Sequence, residues 1–106
     1  MSISIGYLQK YIKAKDYKPE LKAQYFMRLV EEVGELAEAM RKDARSTNEK
    51  DIKETIDEEV WDIIYYALAI ANCYKIDLEK VVPIKEELNN ERHGNNIVFE
   101  IEKRLT

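Results

Sequence analysis

Two stretches decide the reading of this chain: Glu31-Glu32-Val33-Gly34-Glu35-Leu36-Ala37-Glu38-Ala39-Met40 and Glu58-Glu59-Val60-Trp61-Asp62-Ile63-Ile64-Tyr65-Tyr66. Around the first, Leu21, Tyr25, Phe26, Leu29, Val30, Val33, Leu36, Ala37 and Met40 recur with the period of a helix. Both stretches place carboxylates at i and i+3: Glu32 with Glu35, and Glu59 with Asp62. That spacing puts each pair on one helix face. If the connecting segment turns the chain back and the helices pack antiparallel, the four acids converge. Converging carboxylates must take up protons or bind a hard cation.

Outward from these stretches the chain reads as all-α. A first helix is expected over Ser4 to Lys15, with Ile5, Leu8 and Ile12 on its apolar stripe. Asp16 to Lys18 break it, and Pro19 suits the first turn of a second helix, from about Pro19 to Asp43. Gly34 inside that helix costs about 1 kcal/mol against alanine and offers room for a neighbouring helix or ligand. Ala44 to Lys50 is polar and loop-like. A third helix is expected from about Asp51 to Tyr74. Its second half, Val60 to Ala71, is apolar almost all round, which predicts burial on several sides. Asp77 reads as the N-cap of a fourth helix, Leu78 to about Arg92, with a kink or restart at Pro83. His93-Gly94-Asn95-Asn96 reads as a stop. Ile97 to Thr106 suits either a strand-like arm or a short helix.

Length and composition bound the rest. A chain of 106 residues is read as a single domain. Its 45% apolar residues can build a core, and only 3 Gly and 2 Pro leave long helices uninterrupted. A net charge of -4 argues against general nucleic-acid binding, which needs basic patches. Cys73 is the one cysteine, so neither an intrachain disulfide nor a Cys-based zinc site is available. Met1 to Gly6 lacks a basic region followed by an apolar run, so no signal peptide is expected. The apolar run Ile63 to Ala71 is too short to span a bilayer. The expectation is a cytoplasmic protein with no membrane partner.

Either acidic string alone suits a solvated helix face. The second carries more, because Asp62 opens an uncharged stretch that runs to Ala71. A carboxylate at the edge of such a stretch needs a partner or a cation. Di-iron bundles need Glu-x-x-His pairs, and none exists here; the only histidine is His93. An all-oxygen donor set suits Mg²⁺, with Mn²⁺ as a substitute. Lys85, Asn89 and Arg92 stand at i, i+4 and i+7, on one face of the fourth helix. Such a face can hold phosphate oxygens, or simply pair with neighbours in solvent. Trp61 and Tyr66 are candidates for stacking on a base, while Tyr25 and Phe26 read as core. Arg28, at i-4 from Glu32, suits a phosphate contact or an ordinary ion pair, and the ion pair is the favoured reading. No Walker A loop is present, which excludes P-loop chemistry.

The three blocks in this order resemble the MazG-like all-α nucleoside triphosphate pyrophosphohydrolases. The pattern E-E-x-x-E is matched by Glu31, Glu32 and Glu35, E-x-x-D by Glu59 and Asp62, and K-x-x-x-N-x-x-R by Lys85, Asn89 and Arg92. The resemblance covers about Tyr25 to Arg92 and leaves residues 93–106 without a family pattern. It implies a four- to five-helix bundle completed by oligomerisation, as a homodimer or homotetramer. It implies a Mg²⁺-dependent enzyme that cleaves a nucleotide substrate between the α and β phosphates, releasing a monophosphate and pyrophosphate, in a house-cleaning role. Glu32, Glu35, Glu59 and Asp62 would be metal ligands, and Glu31 or Glu35 would take the proton from the attacking water. Lys85, Asn89 and Arg92 would hold the phosphates. A dUTPase or a phosphoribosyl-ATP pyrophosphohydrolase of the same superfamily fits similar acids. Outside enzymes, a nucleotide sensor or an acidic helical interaction module would keep the helices without turnover.

Overall fold

A computed structural model describes residues 2–48, 51–94 and 98–99. Among them the chain forms four α-helices and no strand: α1 (Ile5–Lys15), α2 (Lys22–Arg41), α3 (Ile56–Cys73) and α4 (Leu78–Arg92). The architecture is all-α, and its helix ends follow local chemistry. Ser4 caps α1 by accepting from the Tyr7 amide at 3.0 Å. Thr55 caps α3 by accepting from the Glu58 amide at 3.3 Å, and Asp77 caps α4 by accepting from the Glu79 amide at 3.0 Å. Each cap satisfies a first-turn N–H that has no partner within its helix.

Several boundaries differ from the sequence expectation. Pro19–Leu21 forms a 3-10 turn, and the α-helix starts at Lys22 rather than Pro19. The third helix starts at Ile56 rather than Asp51, because Thr55 is its cap and Glu54 takes a left-handed φ of 64°. That conformation cannot continue a right-handed helix. Pro83 does not restart α4, which runs unbroken from Leu78 to Arg92. His93 and Gly94 form the expected turn after it. In the tail, Val98 and Phe99 are in neither helix nor strand; Asn95, Asn96, Ile97 and residues 100–106 lie outside the described residues.

α2 and α3 pack as an antiparallel pair. Arg28 meets Tyr66, Glu32 meets Glu59 and Asp62, and the Ala44 carbonyl accepts from the Ile56 amide at 2.7 Å. Residue numbers rise along one helix as they fall along the other. α1 packs against α3, and α4 packs against α1. The core is Ile12, Tyr25, Leu68 and Ala69, with Ile5, Leu8, Tyr65 and Ile70 packed around it. A buried polar lock joins α1 to the α3–α4 connection. The Gln9 amide nitrogen donates to Asn72 Oδ1 at 3.1 Å and to the Ile76 carbonyl at 2.8 Å. Gln9 Oε1 accepts from the Leu78 amide at 3.0 Å, and Asn72 Nδ2 donates to the Gln9 carbonyl at 2.9 Å.

Two expectations about apolar positions are corrected. Phe26 is exposed rather than core, while Tyr25 is buried. The second half of α3 keeps one face open, at Val60, Ile64 and Ala67, while Leu68, Ala69 and Ala71 are buried. A Cβ at Gly34 would meet nothing within 4 Å, so the position is open among the described residues. Phe26, Val30, Val33 and Met40 of α2 therefore join Val60 and Ile64 of α3 as exposed apolar side chains. No described helix is long and apolar enough to cross a membrane.

Candidate active site

Opposed acidic faces of α2 and α3 build the site. One turn separates Glu59 from Asp62 on α3, and the antiparallel register sets Glu32 of α2 opposite them. Each offers a carboxylate oxygen, and these oxygens lie within 4.8 Å of one another. Glu32 and Glu59 are 5% and 4% exposed, and Asp62 is half-buried. Arg28 Nη2 stands 3.8 Å from Glu32 Oε1, but Glu32 Oε2 and Glu59 Oε2 are buried with no hydrogen-bond partner. Orphaned carboxylate oxygens are costly, so the group must hold protons or a cation.

The electrostatics show the same tension. Burial, with Glu59, Glu35 and Asp62 adding to it, pushes Glu32 up from its ordinary 4.5 to about 8. Burial also raises Glu59, and the nearby Glu35 charge acts in the same direction. Asp62 is raised by burial and then by the charge of Glu58. A hard divalent cation would relieve all three, and the all-oxygen donor set fits one.

The other expected acids stand at the rim. Glu35 is exposed and, with Glu59, borders a cavity of about 810 Å³. Glu31 is exposed and accepts from Arg28 Nη1 at 2.7 Å. Arg28 thus forms the expected ion pair with Glu32, and a closer one with Glu31. Its Nε donates to the Tyr66 hydroxyl at 3.4 Å, and its guanidinium lies 5.7 Å from the ring centre. Arg28 therefore stands over one face of the Tyr66 ring. Trp61 meets Tyr65 edge-on at 6.1 Å and is 36% exposed.

The single chain does not bring the α4 residues to the acids. α4 packs on α1, and Asn89 donates to Glu86 at 3.3 Å. Among the described residues, no hydrogen bond or ion pair joins Lys85, Asn89 or Arg92 to Glu32, Glu59 or Asp62. Other lining residues escaped the sequence reading. Lys42, Lys53, Glu54 and Thr55 line the cavity beside Glu35 and Glu59. Helix spacing places Lys42, at i+7 from Glu35, on the acidic face; no such rule reaches the turn at 51–55.

Comparison with known proteins gives one consistent answer. The model of the MazG nucleotide pyrophosphohydrolase domain matches residues 22–95, a span that includes every acid described above. The chain is similar to the solved structure of Ctag-iMazG from Vibrio DAT 722, at 40% identity and a TM-score of 0.78. That match covers 83% of this chain and 99% of the other. It is similar to Ntag-iMazG from the same source, again at 40% identity and TM-score 0.78, over 85% of this chain and 97% of the other. No match is found among curated proteins. Family model, sequence identity and shared fold agree, and the chain belongs to the MazG nucleotide pyrophosphohydrolase family.

Proposed function

We propose that this protein is a divalent-metal-dependent pyrophosphohydrolase that cleaves ribo- or deoxyribonucleoside triphosphates between the α and β phosphates. The observation that carries the reading is the pair of orphaned oxygens, Glu32 Oε2 and Glu59 Oε2, buried in a trio of carboxylates. Glu32, Glu59 and Asp62 would hold Mg²⁺, with Mn²⁺ as a substitute and Glu35 at the rim. A cation bound there neutralises charge on the phosphate oxygens and favours water as the nucleophile.

The chain's own groups do the rest. Water attacks the α-phosphorus, the bond from that phosphorus to the bridging oxygen breaks, and pyrophosphate leaves with the electron pair. The attacking water must lose a proton. Glu35 is the better acceptor, because Arg28 already engages Glu31 at 2.7 Å. The cavity of about 810 Å³ beside Glu35 and Glu59 has room for the nucleoside. Phosphate contacts from Lys85, Asn89 and Arg92 require α4 to come to the acids, from the same chain or from a second copy. The exposed apolar side chains of α2 and α3 support a homodimer or homotetramer.

The test is a panel of ribo- and deoxyribonucleoside triphosphates with Mg²⁺, with products resolved by ³¹P NMR. Monophosphate plus pyrophosphate is the expected outcome. Diphosphate plus orthophosphate, or no turnover across the panel, would overturn the proposal.

A further inference from the structure

We propose that Arg28 is the cation that grips the pyrophosphate end of the substrate, held in place by Tyr66 and Glu31; this rests on the nucleotide-hydrolysis reading above. Arg28 lies one turn before Glu32 on α2, a step of about 6 Å along the axis. That is on the order of the reach from an α-phosphate at the carboxylates to the phosphates beyond it. The side chain is 54% exposed, yet it is held from three directions. Nη1 donates to Glu31 at 2.7 Å, Nε donates to the Tyr66 hydroxyl at 3.4 Å, and Nη2 faces Glu32 Oε1 at 3.8 Å. A guanidinium carries five N–H donors in a planar fork. The last of these contacts is too long for a hydrogen bond, so both Nη2 protons and one on Nη1 remain available. Two parallel donors on one edge match a phosphate.

The cations of α4 and of the cavity are worse placed. Lys85 and Arg92 sit on α4, which packs on α1. Lys42 is paired with Glu38 at 3.4 Å. With Lys53 it borders the cavity, but Glu38, Asp51, Glu54 and Glu58 line the same space and outnumber them. A polyphosphate is repelled there, whereas a nucleoside is not. At Arg28 the pair with Glu31 occupies one Nη1 donor and leaves the Nη2 donors for a multiply charged ligand. The substrate then lies along α2, with its phosphates toward Arg28 and its nucleoside toward Lys42. Tyr66 is the positioning residue, because its hydroxyl and ring face fix where the guanidinium points.

The experiment is calorimetric titration of inorganic pyrophosphate, in the presence of Mg²⁺, into wild type, Arg28→Gln, Arg28→Lys and Tyr66→Phe. Mg²⁺ alone is titrated in parallel, and nucleotide turnover is measured on the same samples. Arg28→Gln is expected to weaken pyrophosphate by about ten-fold or more, the size of a lost charge-assisted contact. Arg28→Lys should recover part of that, and Tyr66→Phe should weaken binding by about three-fold. Binding of Mg²⁺ alone should be unchanged or tighter in Arg28→Gln, since a cation beside Glu32 has been removed. Pyrophosphate affinity within about two-fold of wild type in Arg28→Gln overturns the assignment. So does loss of Mg²⁺ binding in that variant, or wild type that binds no pyrophosphate. Arg28-dependent binding without turnover of any nucleotide would leave the assignment standing and reject hydrolysis.

Discussion

Replacing Glu32 with glutamine should make the metal-free protein more stable at alkaline pH. Glu32 is 5% exposed, and its pKa rises from an ordinary 4.5 to about 8 in the fold. The fold therefore binds this proton more tightly than the unfolded chain does. The stability tied to it is fully present below about pH 4.5 and is lost as pH rises through about 8. At about 1.4 kcal/mol per pKa unit, the loss between the acid limit and pH 7 is on the order of 3 kcal/mol. Water reaches the cluster through half-buried Asp62 and screens part of this, so about 2 kcal/mol is the expected size. Glu59 and Asp62 are raised as well and act in the same direction. Glu32→Gln removes the titrating group and supplies an amide that can donate to its acidic neighbours. Thermal melts in chelator, followed by far-UV circular dichroism from about pH 5 to pH 8.5, provide the assay. Wild type should lose stability across that range more steeply than Glu32→Gln, in which Glu59 and Asp62 still titrate, opening a gap of about 10 °C at the alkaline end. Wild type that gains stability as pH rises, or a variant with the wild-type slope, would refute the reasoning.

Asp62→Asn should retain its helical signal while turnover falls by about 100-fold or more, because one of three converging donors has lost its charge. Millimolar Mg²⁺ should raise the melting temperature of wild type by several degrees and leave that of Asp62→Asn unmoved; equal shifts in both would place the metal elsewhere. Gln9→Ala strands the Leu78 amide and the Ile76 carbonyl, and should cost about 2–3 kcal/mol in urea unfolding. A loss below about 1 kcal/mol would mean water replaces the side chain. Val33→Glu and Ile64→Glu place charge among the exposed apolar side chains and should reduce the proposed oligomer to monomer in light scattering; a mass unchanged from wild type would reject this face as the interface.

The legible part of this protein is its local part. Ser4 and Asp77 read as helix starts because capping depends on one side chain and the amides two or three residues on. Pro19 suits a first helical turn but opens a 3-10 turn instead, and residues 51–54 form a turn that backbone geometry controls, as at left-handed Glu54. Phe26 reads as a burial candidate because its spacing is helical, and Ile64 because it lies in a stretch that is apolar almost all round. Periodicity assigns an apolar side chain to a face; it does not say whether that face meets this chain or remains open. Gln9 and Asn72 gave no signal, since their lock joins residues 63 positions apart.

By itself the sequence determined four helices, two pairs of acids on helix faces and a row of Lys85, Asn89 and Arg92, because i, i+3 and i+4 relations are properties of any α-helix. Only the tertiary structure decided which of these meet. The antiparallel register of α2 and α3 drew Glu32, Glu59 and Asp62 together and left Glu35 at the rim. Packing of α4 on α1 kept the basic row away from them. Packing of α2 on α3 set the Arg28 guanidinium over Tyr66 while it kept its ion pairs with Glu31 and Glu32. These outcomes depend on long-range packing and on burial, which raises the energy of a charge according to its surroundings in space rather than its position in the chain.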